Sequence, residues 1–516
     1  MELVCNFPLF TILLCLLSSV LCTLLGPKAA RRWTLGLELA LLALCAAVLS
    51  HTLRAGEAFT YVMGEFPAPW GNEIRAGALE ALLAVAFLVV LVCSVLGGWD
   101  FTRLDVEESK QNLFFSLVNL FTAALMALVW TNDVFTGYVF LEIMTLSSCG
   151  LIAARELGRT TLAAVRYMIM NLLGSGLFLL GVVLLYELTG HLLMAPMRRA
   201  VAEIAAGVGR VPLTFALTIL TVGLGIKSGL FPFYFWMPDT YGASTPTGAA
   251  ILSALVSKSY IFLLFKIFYR AVGDAVYQLL PLRWVLFLLG LLGMVAGSFS
   301  AIRANNINRM VAYSSAAQIG YIYMGLGIGG TAGYTAALFQ ILVHAVTKSL
   351  LFITTPRLAS VSGDSLLFKN LQGSGKRARS AGLAFTAAAL SMVGVPFFAG
   401  FAVKLFFAVA AVESGDTAVL LLVMLALGVS SILNAVYFVR TVVRIYSDGR
   451  GGADISSTAL YDAEHHVAPA AAANPLPRTE ALYRLAAAVL ILCNLFLGLS
   501  APTAVDVIRR GLAMFG

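Results

Sequence analysis

Charged residues are scarce in this chain. Asp, Glu, Lys and Arg together make up 12% of its 516 residues, while 60% are hydrophobic. Soluble domains carry about 25% charged and roughly 45–50% apolar residues, so the composition excludes an ordinary soluble protein. The formal net charge of +8 does not predict a nucleic-acid partner, because basic residues collect in the cytoplasmic loops of membrane proteins. The composition predicts a chain that lies in a lipid bilayer.

Cofactor motifs are lacking as well. The seven cysteines are scattered through apolar stretches without paired spacing, which predicts neither a disulfide framework nor an iron–sulfur cluster. No glycine-rich nucleotide loop is apparent, and no set of metal ligands is complete. We therefore expect no cofactor and no metal on this chain. Any iron–sulfur, nickel or flavin centre is expected on partner subunits.

Long apolar runs, by contrast, are abundant. About fourteen stretches reach the roughly 20 apolar residues that a membrane helix needs. They predict an all-α, polytopic membrane protein with three spans in 1–110, five in 111–270, five in 282–446 and a last span in 484–516. The polar segment 447–483 is predicted to be a flexible cytoplasmic loop. Apart from five lysines inside spans, 20 Lys and Arg lie on one side and 9 on the other, which places both termini on the outer side.

Two of the predicted spans, the seventh and the twelfth, contain helix-breaking residues. Pro232 and Pro238 follow GIKSGLF in the seventh span, and Pro396 lies in SMVGVPFFAG in the twelfth. Proline removes a backbone donor and clashes with the preceding turn, so both helices are predicted to be discontinuous. Matching broken helices are typical of transporters built from repeats. Since the breaks lie five spans apart, we predict two inverted five-helix repeats, spans 4–8 and spans 9–13.

Six ionisable side chains lie deep inside apolar stretches, where each charge costs roughly 2.5–3.5 kcal/mol. They are Glu142, Lys227, Lys258, His344, Lys348 and Lys404. A structural ion pair is the simpler interpretation of Glu142 and Lys227. However, desolvation offsets most of the stability that a buried pair provides. The ordered set of six therefore predicts a proton pathway.

The physical chemistry of these groups suits proton exchange. Burial disfavours the charged form of a lysine and a nearby carboxylate favours it, so forming and separating a Glu142–Lys227 pair would switch Lys227 between uptake and release. His344 and Lys348 share a helix face at i, i+4, and imidazole titrates near neutral pH. Polar residues such as Gln318 and Gln340 are interpreted as hydrogen-bonding contacts between helices. Two further cations at the end of the eighth span, Lys266 and Arg270, are expected to reach the membrane interface as anchors.

Several segments carry a resemblance that covers essentially the whole chain. They are YVFLEIM, GIKSGLFPFYFWMPDTYGASTPTGAA, SSAAQIGYIYMGLGI, HAVTKSLLF and the lysine of the twelfth span. With them the chain resembles the antiporter-like subunits of respiratory complex I, membrane-bound hydrogenases and Mrp-type cation/proton antiporters. The resemblance is greatest to the Mrp D subunit and its hydrogenase counterparts. It implies fourteen helices with inverted repeats, and proton-pathway roles for the same six residues.

The resemblance implies a proton-translocating subunit of a larger complex in a prokaryotic inner membrane, and it leaves the driving force open. In one alternative, other membrane subunits and peripheral redox subunits of NADH dehydrogenase or hydrogenase type drive proton movement. In the other, the chain belongs to an Mrp-type secondary antiporter that exchanges Na⁺ for H⁺ without redox coupling. A structural scaffold is disfavoured by the ordered lysines. The proton machinery is expected to be the same in both transport alternatives.

Overall fold

Long helices dominate the first third of the chain. The computed structural model describes residues 2–66, 71–207, 209–447 and 480–515. The early helices are α1 (Phe7–Leu24), α2 (Pro27–Ala55), α3 (Ala78–Asp105), α4 (Gln111–Trp130), α5 (Val134–Ala153) and α6 (Gly158–Thr189). An antiparallel hairpin of β1 (Phe59–Val62) and β2 (Glu73–Ala76) joins α2 to α3. A short helix, Met194–Ala206, follows α6.

The remaining helices follow with short connections. They are α7 (Arg210–Ser228), α8 (Met237–Ala243), α9 (Pro246–Leu279), α10 (Leu282–Arg303), α11 (Ile307–Ile328), α12 (Gly330–Ser360), α13 (Arg379–Val393), α14 (Ala399–Glu413), α15 (Thr417–Tyr446), α16 (Glu480–Leu499) and α17 (Ala501–Ala513). A 3₁₀ turn, Phe233–Trp236, connects α7 to α8. Helix α9 contains two π-helical segments, Leu252–Val256 and Ile267–Gly273.

Twelve helices in the described ranges are long and apolar enough to cross a membrane, with α7 and α8 counted as one. This establishes the predicted multi-pass, all-α class. The predicted count of fourteen adds α11 and the pair α13/α14. Helix α11 has 22 residues but carries several polar side chains, and α13 and α14 have 15 residues each, fewer than a full span needs. The number fourteen and the inverted repeats therefore stay predictions.

Both predicted interruptions contain an irregular backbone. Helix α7 ends at Gly229, with φ +76°, and α13 ends at Gly394, with φ +90°; this left-handed conformation favours glycine. Pro232 follows Gly229 in the connection to the 3₁₀ turn, and Pro396 lies between α13 and α14. Pro238 lies instead in the first turn of α8, where a missing N–H breaks no helical hydrogen bond.

The helix ends form two distinct surfaces. We call one the basic end, because its connections 106–110, 154–157 and 361–378 contain basic residues; the connections 25–26 and 304–306 lie at the same end. The opposite end carries the β-hairpin, the Met194–Ala206 helix and α17. There, β2 forms a bridge from Ile74 to Thr131. At the basic end, a bridge joins Asn306 to Leu367.

The central helices are α9 and α12. The most apolar stretch of each of these two helices is completely buried. In α1, α2, α15 and α16, only 28–39% of the corresponding stretch is buried. Lys258 lies on α9, and His344 and Lys348 lie on α12, so three of the predicted site residues occupy the interior of the bundle.

The two expected anchors of α9 are also buried, so their prediction is wrong. Lys266 is 0% exposed and Arg270 is 3% exposed. The Lys266 ammonium donates to the carbonyls of Val129 and Thr131 at 3.0 and 2.6 Å, which satisfies the end of α4. The Arg270 guanidinium contacts the Glu80 carboxylate. The charged groups of Lys266 and Arg270 therefore contact protein atoms instead of the water at the membrane interface.

The predicted segment boundaries remain predictions. Residues 448–479 of the predicted loop 447–483 lie outside the described residues. The segment predicted as one last span, 484–516, contains the end of α16 and a separate helix, α17. Helix α17 packs on α3 through buried residues such as Ala504 and Ile508. The chain thus turns at Ser500 rather than continuing as a single helix.

Candidate functional site

Glu142 and Lys227 meet at the first broken helix. Lys227 occupies the last turn of α7 and is completely buried, with its Nζ 3.4 Å from Glu142 Oε1 on α5. The hydrogen bond of the ammonium goes to Thr145 Oγ1 at 2.7 Å, one turn along α5 from the carboxylate. Thr145 also lies 3.2 Å from the Tyr260 hydroxyl of α9. This contact set joins the predicted pair to the central helix.

The Glu142 side chain is open on one side. It is 25% exposed, although it lies in the middle of α5. Phe135, Val139 and Leu146 lie on the same helix face at i−7, i−3 and i+4, and they are 39–55% exposed. A carboxylate on such an apolar lateral face is costly against lipid.

Lys258 lies in the protein interior directly after the first π-helical segment of α9. Its ammonium donates to the Ser253 carbonyl, five residues earlier. Irregular π turns of this kind are frequent at functional sites. Within the described ranges, no carboxylate lies within ion-pair distance of this buried lysine. Its position therefore differs from that of Lys227, which faces Glu142.

Lys348 approaches the same region from α12. Its Nζ donates to the Val311 carbonyl at 2.9 Å and to the Ser314 hydroxyl, both on α11. The neighbouring Ser315 shares a hydrogen bond of 2.9 Å with the Ser253 hydroxyl of α9. We call Ser253, Ser314 and Ser315 the serine cluster. This cluster lies between Lys258 and Lys348. It was not predicted from the sequence, although its three serines are visible in SSAAQIG and ILSALVSKS.

His344 and Lys404 line one small cavity. Both nitrogens of the buried His344 ring lack a hydrogen-bond partner among the described residues. The cavity, of about 10 Å³, also contacts Gln318 and Gln340, whose side chains form a 2.6 Å hydrogen bond. A space of this size is close to what one water molecule needs. The structure therefore brings the histidine of α12 and the lysine of α14 to a shared polar space.

Lys404 folds back across the second break. Its ammonium donates to the carbonyl of Val393, the last residue of α13. A lysine at this position favourably meets the negative end of the helix dipole. Glycine at 394 also leaves room for this side chain, because an added Cβ would lie 2.6 Å from Lys404 Nζ and would force the lysine to shift. The position of the lysine therefore depends on the glycine at the break.

A cavity of about 740 Å³ opens at the basic end above the serine cluster. Its charged lining consists of Asp100, Arg103, Asp105, Arg155, Arg159 and Asp364. Ala249 on α9 and Phe352 on α12 also line it; they lie four residues from Ser253 and Lys348 respectively. Water in this cavity would therefore stand about one helical turn from the hydroxyl and amine groups below.

Four buried acids outside the predicted set were missed, and one of them, Asp133, caps the N-terminus of α5. Glu38 on α2 accepts a hydrogen bond from the Thr122 hydroxyl at 2.8 Å. Glu80 pairs with Arg270, and Asp100 contacts Arg357 at 2.8 Å. Glu38 stands alone in TLGLELALL and could have been noticed in the sequence. In the described part of the chain, no group of three or more His, Cys, Asp or Glu residues could hold a metal ion.

Comparisons with known proteins match the sequence and the fold of this chain to one family. The family model described as "NADH:quinone oxidoreductase/Mrp antiporter, TM" matches residues 131–430. The N subunit of the NADH-quinone oxidoreductase of Desulforudis audaxviator is 34% identical over 423 residues, which cover 81% of each chain. The D subunit of the Na⁺/H⁺ antiporter of Bacillus subtilis is 26% identical over 383 residues, 73% of this chain and 75% of the relative. A chain in the Mrp complex of Dietzia sp. superposes with a TM-score of 0.85 at 22% identity, covering 99% and 97% of the two chains.

Proposed function

The chain belongs to the NADH:quinone oxidoreductase/Mrp antiporter family of membrane-spanning subunits, and we propose that it moves protons along its buried glutamate, lysine and histidine residues. As an antiporter-like subunit it acts within a multisubunit membrane complex. The proposed order is Glu142, Lys227, Lys258, His344 with Lys348, and Lys404. The row crosses the interior of the bundle, parallel to the membrane plane.

The observation that carries the proposal is the environment of Lys258 and Lys348. Both ammonium groups are fully buried, and in the described ranges neither has a carboxylate within ion-pair distance. The Ser253 carbonyl holds Lys258, and the Val311 carbonyl and the Ser314 hydroxyl hold Lys348. Either lysine can lose and regain a proton without breaking an ion pair, and the Ser314 hydroxyl can accept from Lys348 or donate to it. A purely structural role leaves the cost of two uncompensated lysines unexplained.

Proton access from the basic end is proposed at the serine cluster, in the middle of this row. The 740 Å³ cavity would supply hydrated access. The excess of Lys and Arg at this end supports a cytoplasmic location for it in a prokaryotic cell, with both termini on the outer side. Release is proposed at Lys404, which is partly exposed and lies at the second break. The single-water cavity beside His344 supports transfer between the two regions.

A second membrane subunit is proposed to cover Glu142. The Glu142 carboxylate lies on an exposed apolar face with Phe135, Val139 and Leu146, where lipid would not solvate it. A partner helix with a polar group would form a hydrogen bond with this carboxylate. Through that bond it could exchange a proton with the Glu142–Lys227 pair or change the distance between the two residues. The driving force would arrive through that contact, whether from redox subunits or from a sodium gradient.

The test is proton uptake by the complex in proteoliposomes, followed with a pH-sensitive dye. Glu142→Ala and Lys227→Ala are expected to abolish coupled uptake while the complex still assembles. Lys110→Ala is the matched control, because Lys110 is an exposed lysine that also pairs with a glutamate, Glu156. Full pumping by either pathway variant would refute the proposal. Loss of pumping in the control would show that the assay reports general damage.

Co-purifying subunits separate the two driving forces. Iron–sulfur, nickel or flavin chains in the purified complex would support redox-driven pumping. A complex that contains only membrane subunits, and whose proton uptake depends on a sodium gradient, would support secondary Na⁺/H⁺ exchange.

A further inference from the structure

A second cavity at the basic end, of about 260 Å³, lies between α6, α8 and α11. Its polar lining includes Arg159, Arg166, Asp239, Asn306 and Arg309. Three guanidinium groups therefore face one carboxylate in the same small space. This cavity lies beside the 740 Å³ cavity, with which it shares Arg159 and Gly242.

Asp239 neutralises only part of this charge. Its carboxylate contacts Arg166 at 2.7 Å and Arg309 at 3.3 Å, and both arginine side chains are about half exposed. A guanidinium carries five N–H donors, so each arginine keeps donors for a further anion after one contact with Asp239. The lining thus keeps an excess of positive charge and suits a phosphate group.

An apolar strip on α6 begins at this cavity. Leu162 lines the cavity, and Val165, Ile169 and Leu172 follow it on one helix face; all four are 48–63% exposed. Ten residues of helix extend about 15 Å, which is half of the roughly 30 Å hydrocarbon core of a bilayer. The strip therefore matches the depth of one leaflet.

We propose that this cavity binds an anionic phospholipid. The headgroup phosphate contacts Arg166 and Arg309, and one acyl chain lies along the strip from Leu162 to Leu172. Charge complementarity selects the headgroup, since basic pockets between helices at the cytoplasmic side are typical sites for acidic lipids. A free phosphate would satisfy the arginines but would leave the strip without a role.

The bound phosphate shares the same two arginines with Asp239 and repels its carboxylate. Asp239 lies in the first turn of α8, directly after the interruption that follows Lys227. Lipid binding therefore loosens the ion pairs that hold α8 to α6 and α11. Removing the aspartate should accordingly strengthen lipid binding, which a merely structural ion-pair cluster would not predict.

The experiment measures lipid retention on the purified complex by native mass spectrometry, with phosphatidylglycerol and phosphatidylcholine offered in equal amounts. The wild type is expected to retain phosphatidylglycerol preferentially. The double variant Arg166→Gln/Arg309→Gln should bind it about 30-fold more weakly, as expected for two surface charges. Asp239→Asn should bind it more tightly. The variant Arg166→Lys/Arg309→Lys keeps both charges and should retain binding. It therefore shows whether the double glutamine variant loses binding because of the lost charge or because of misfolding.

Arg303→Gln is the matched control, because Arg303 is an exposed arginine at the same end but outside the cavity. It should leave lipid retention unchanged. Equal retention of both lipids, unchanged binding in the double glutamine variant, or weaker binding in Asp239→Asn would overturn the proposal. Displacement of the lipid by millimolar inorganic phosphate would identify a free-anion site instead, and would also overturn it. A cross-linker placed at Ile169 should react with lipid. A cross-link from Ile169 to another protein would show that a partner helix occupies the strip and would overturn the proposal.

Discussion

Replacing Gly394 by alanine is expected to displace Lys404 from the break between α13 and α14. Gly394 has φ +90°, and a left-handed conformation costs an L-residue roughly 1–2 kcal/mol. The new Cβ would lie 2.6 Å from Lys404 Nζ, so the lysine side chain must shift, and we expect its ammonium to leave the Val393 carbonyl. A hydrogen bond from a charged donor contributes about 1.5–3 kcal/mol, which brings the local cost to about 2.5–5 kcal/mol.

Loss of that one hydrogen bond lowers the population of correctly placed Lys404 by about tenfold or more. We expect proton uptake by the reconstituted complex to fall by a similar factor, measured with a pH-sensitive dye in proteoliposomes. Thermal unfolding in detergent, followed by size-exclusion chromatography, measures the stability loss separately. The two readouts distinguish a misplaced lysine from an unfolded subunit.

Gly415→Ala is the matched control for backbone strain. Gly415 also has a left-handed φ, +68°, but no atom lies within 4 Å of an added Cβ. This variant should lose stability by the strain alone and keep its transport rate. Wild-type transport by Gly394→Ala, or an equal transport loss in Gly415→Ala, would refute the link between the glycine and Lys404.

Three further predictions test other contacts. Ser315→Ala removes the hydroxyl that meets Ser253 and should slow proton uptake severalfold in the dye assay without changing assembly; an unchanged rate would exclude the serine cluster from the pathway. Arg357→Gln leaves Asp100 buried without its partner and should cost about 3–5 kcal/mol in thermal unfolding, and Asp100→Asn in the same background should restore part of that loss. Phe515→Ala removes a fully buried ring and should destabilise the chain by about 3–5 kcal/mol, whereas an unchanged unfolding midpoint would show that the ring is not held in solution.

The sequence predicted the broken helices and their lysines well because the responsible signals are local. Glycine, proline and lysine stand together around Gly229 and Gly394, and each signal acts on the residues beside it. Family membership was likewise predictable, since the motifs lie within the matched segment 131–430.

The sequence could not predict contacts between distant segments. Arg270 was expected at the membrane interface because it ends an apolar run, but its partner Glu80 lies 190 residues earlier. The exposed face of Glu142 depends on how α5 packs, which no local pattern determines. The shared cavity of His344 and Lys404 arises in the same way, from the crossing of α12 and α14. Tertiary packing therefore decides which polar residues become neighbours.

The contact between Arg270 and Phe515 has a consequence for the order of biosynthesis. Arg270 Nε donates to the Phe515 carbonyl at 3.0 Å, and its guanidinium lies 3.7 Å from the centre of the Phe515 ring, although the two residues are 245 positions apart. A ribosome adding about 5–20 residues per second needs roughly 12–50 s to make the intervening segment. During that interval the membrane already holds Arg270 without its final cover. The nascent subunit therefore passes through a state in which Arg270 can already pair with Glu80 but lacks the Phe515 contact.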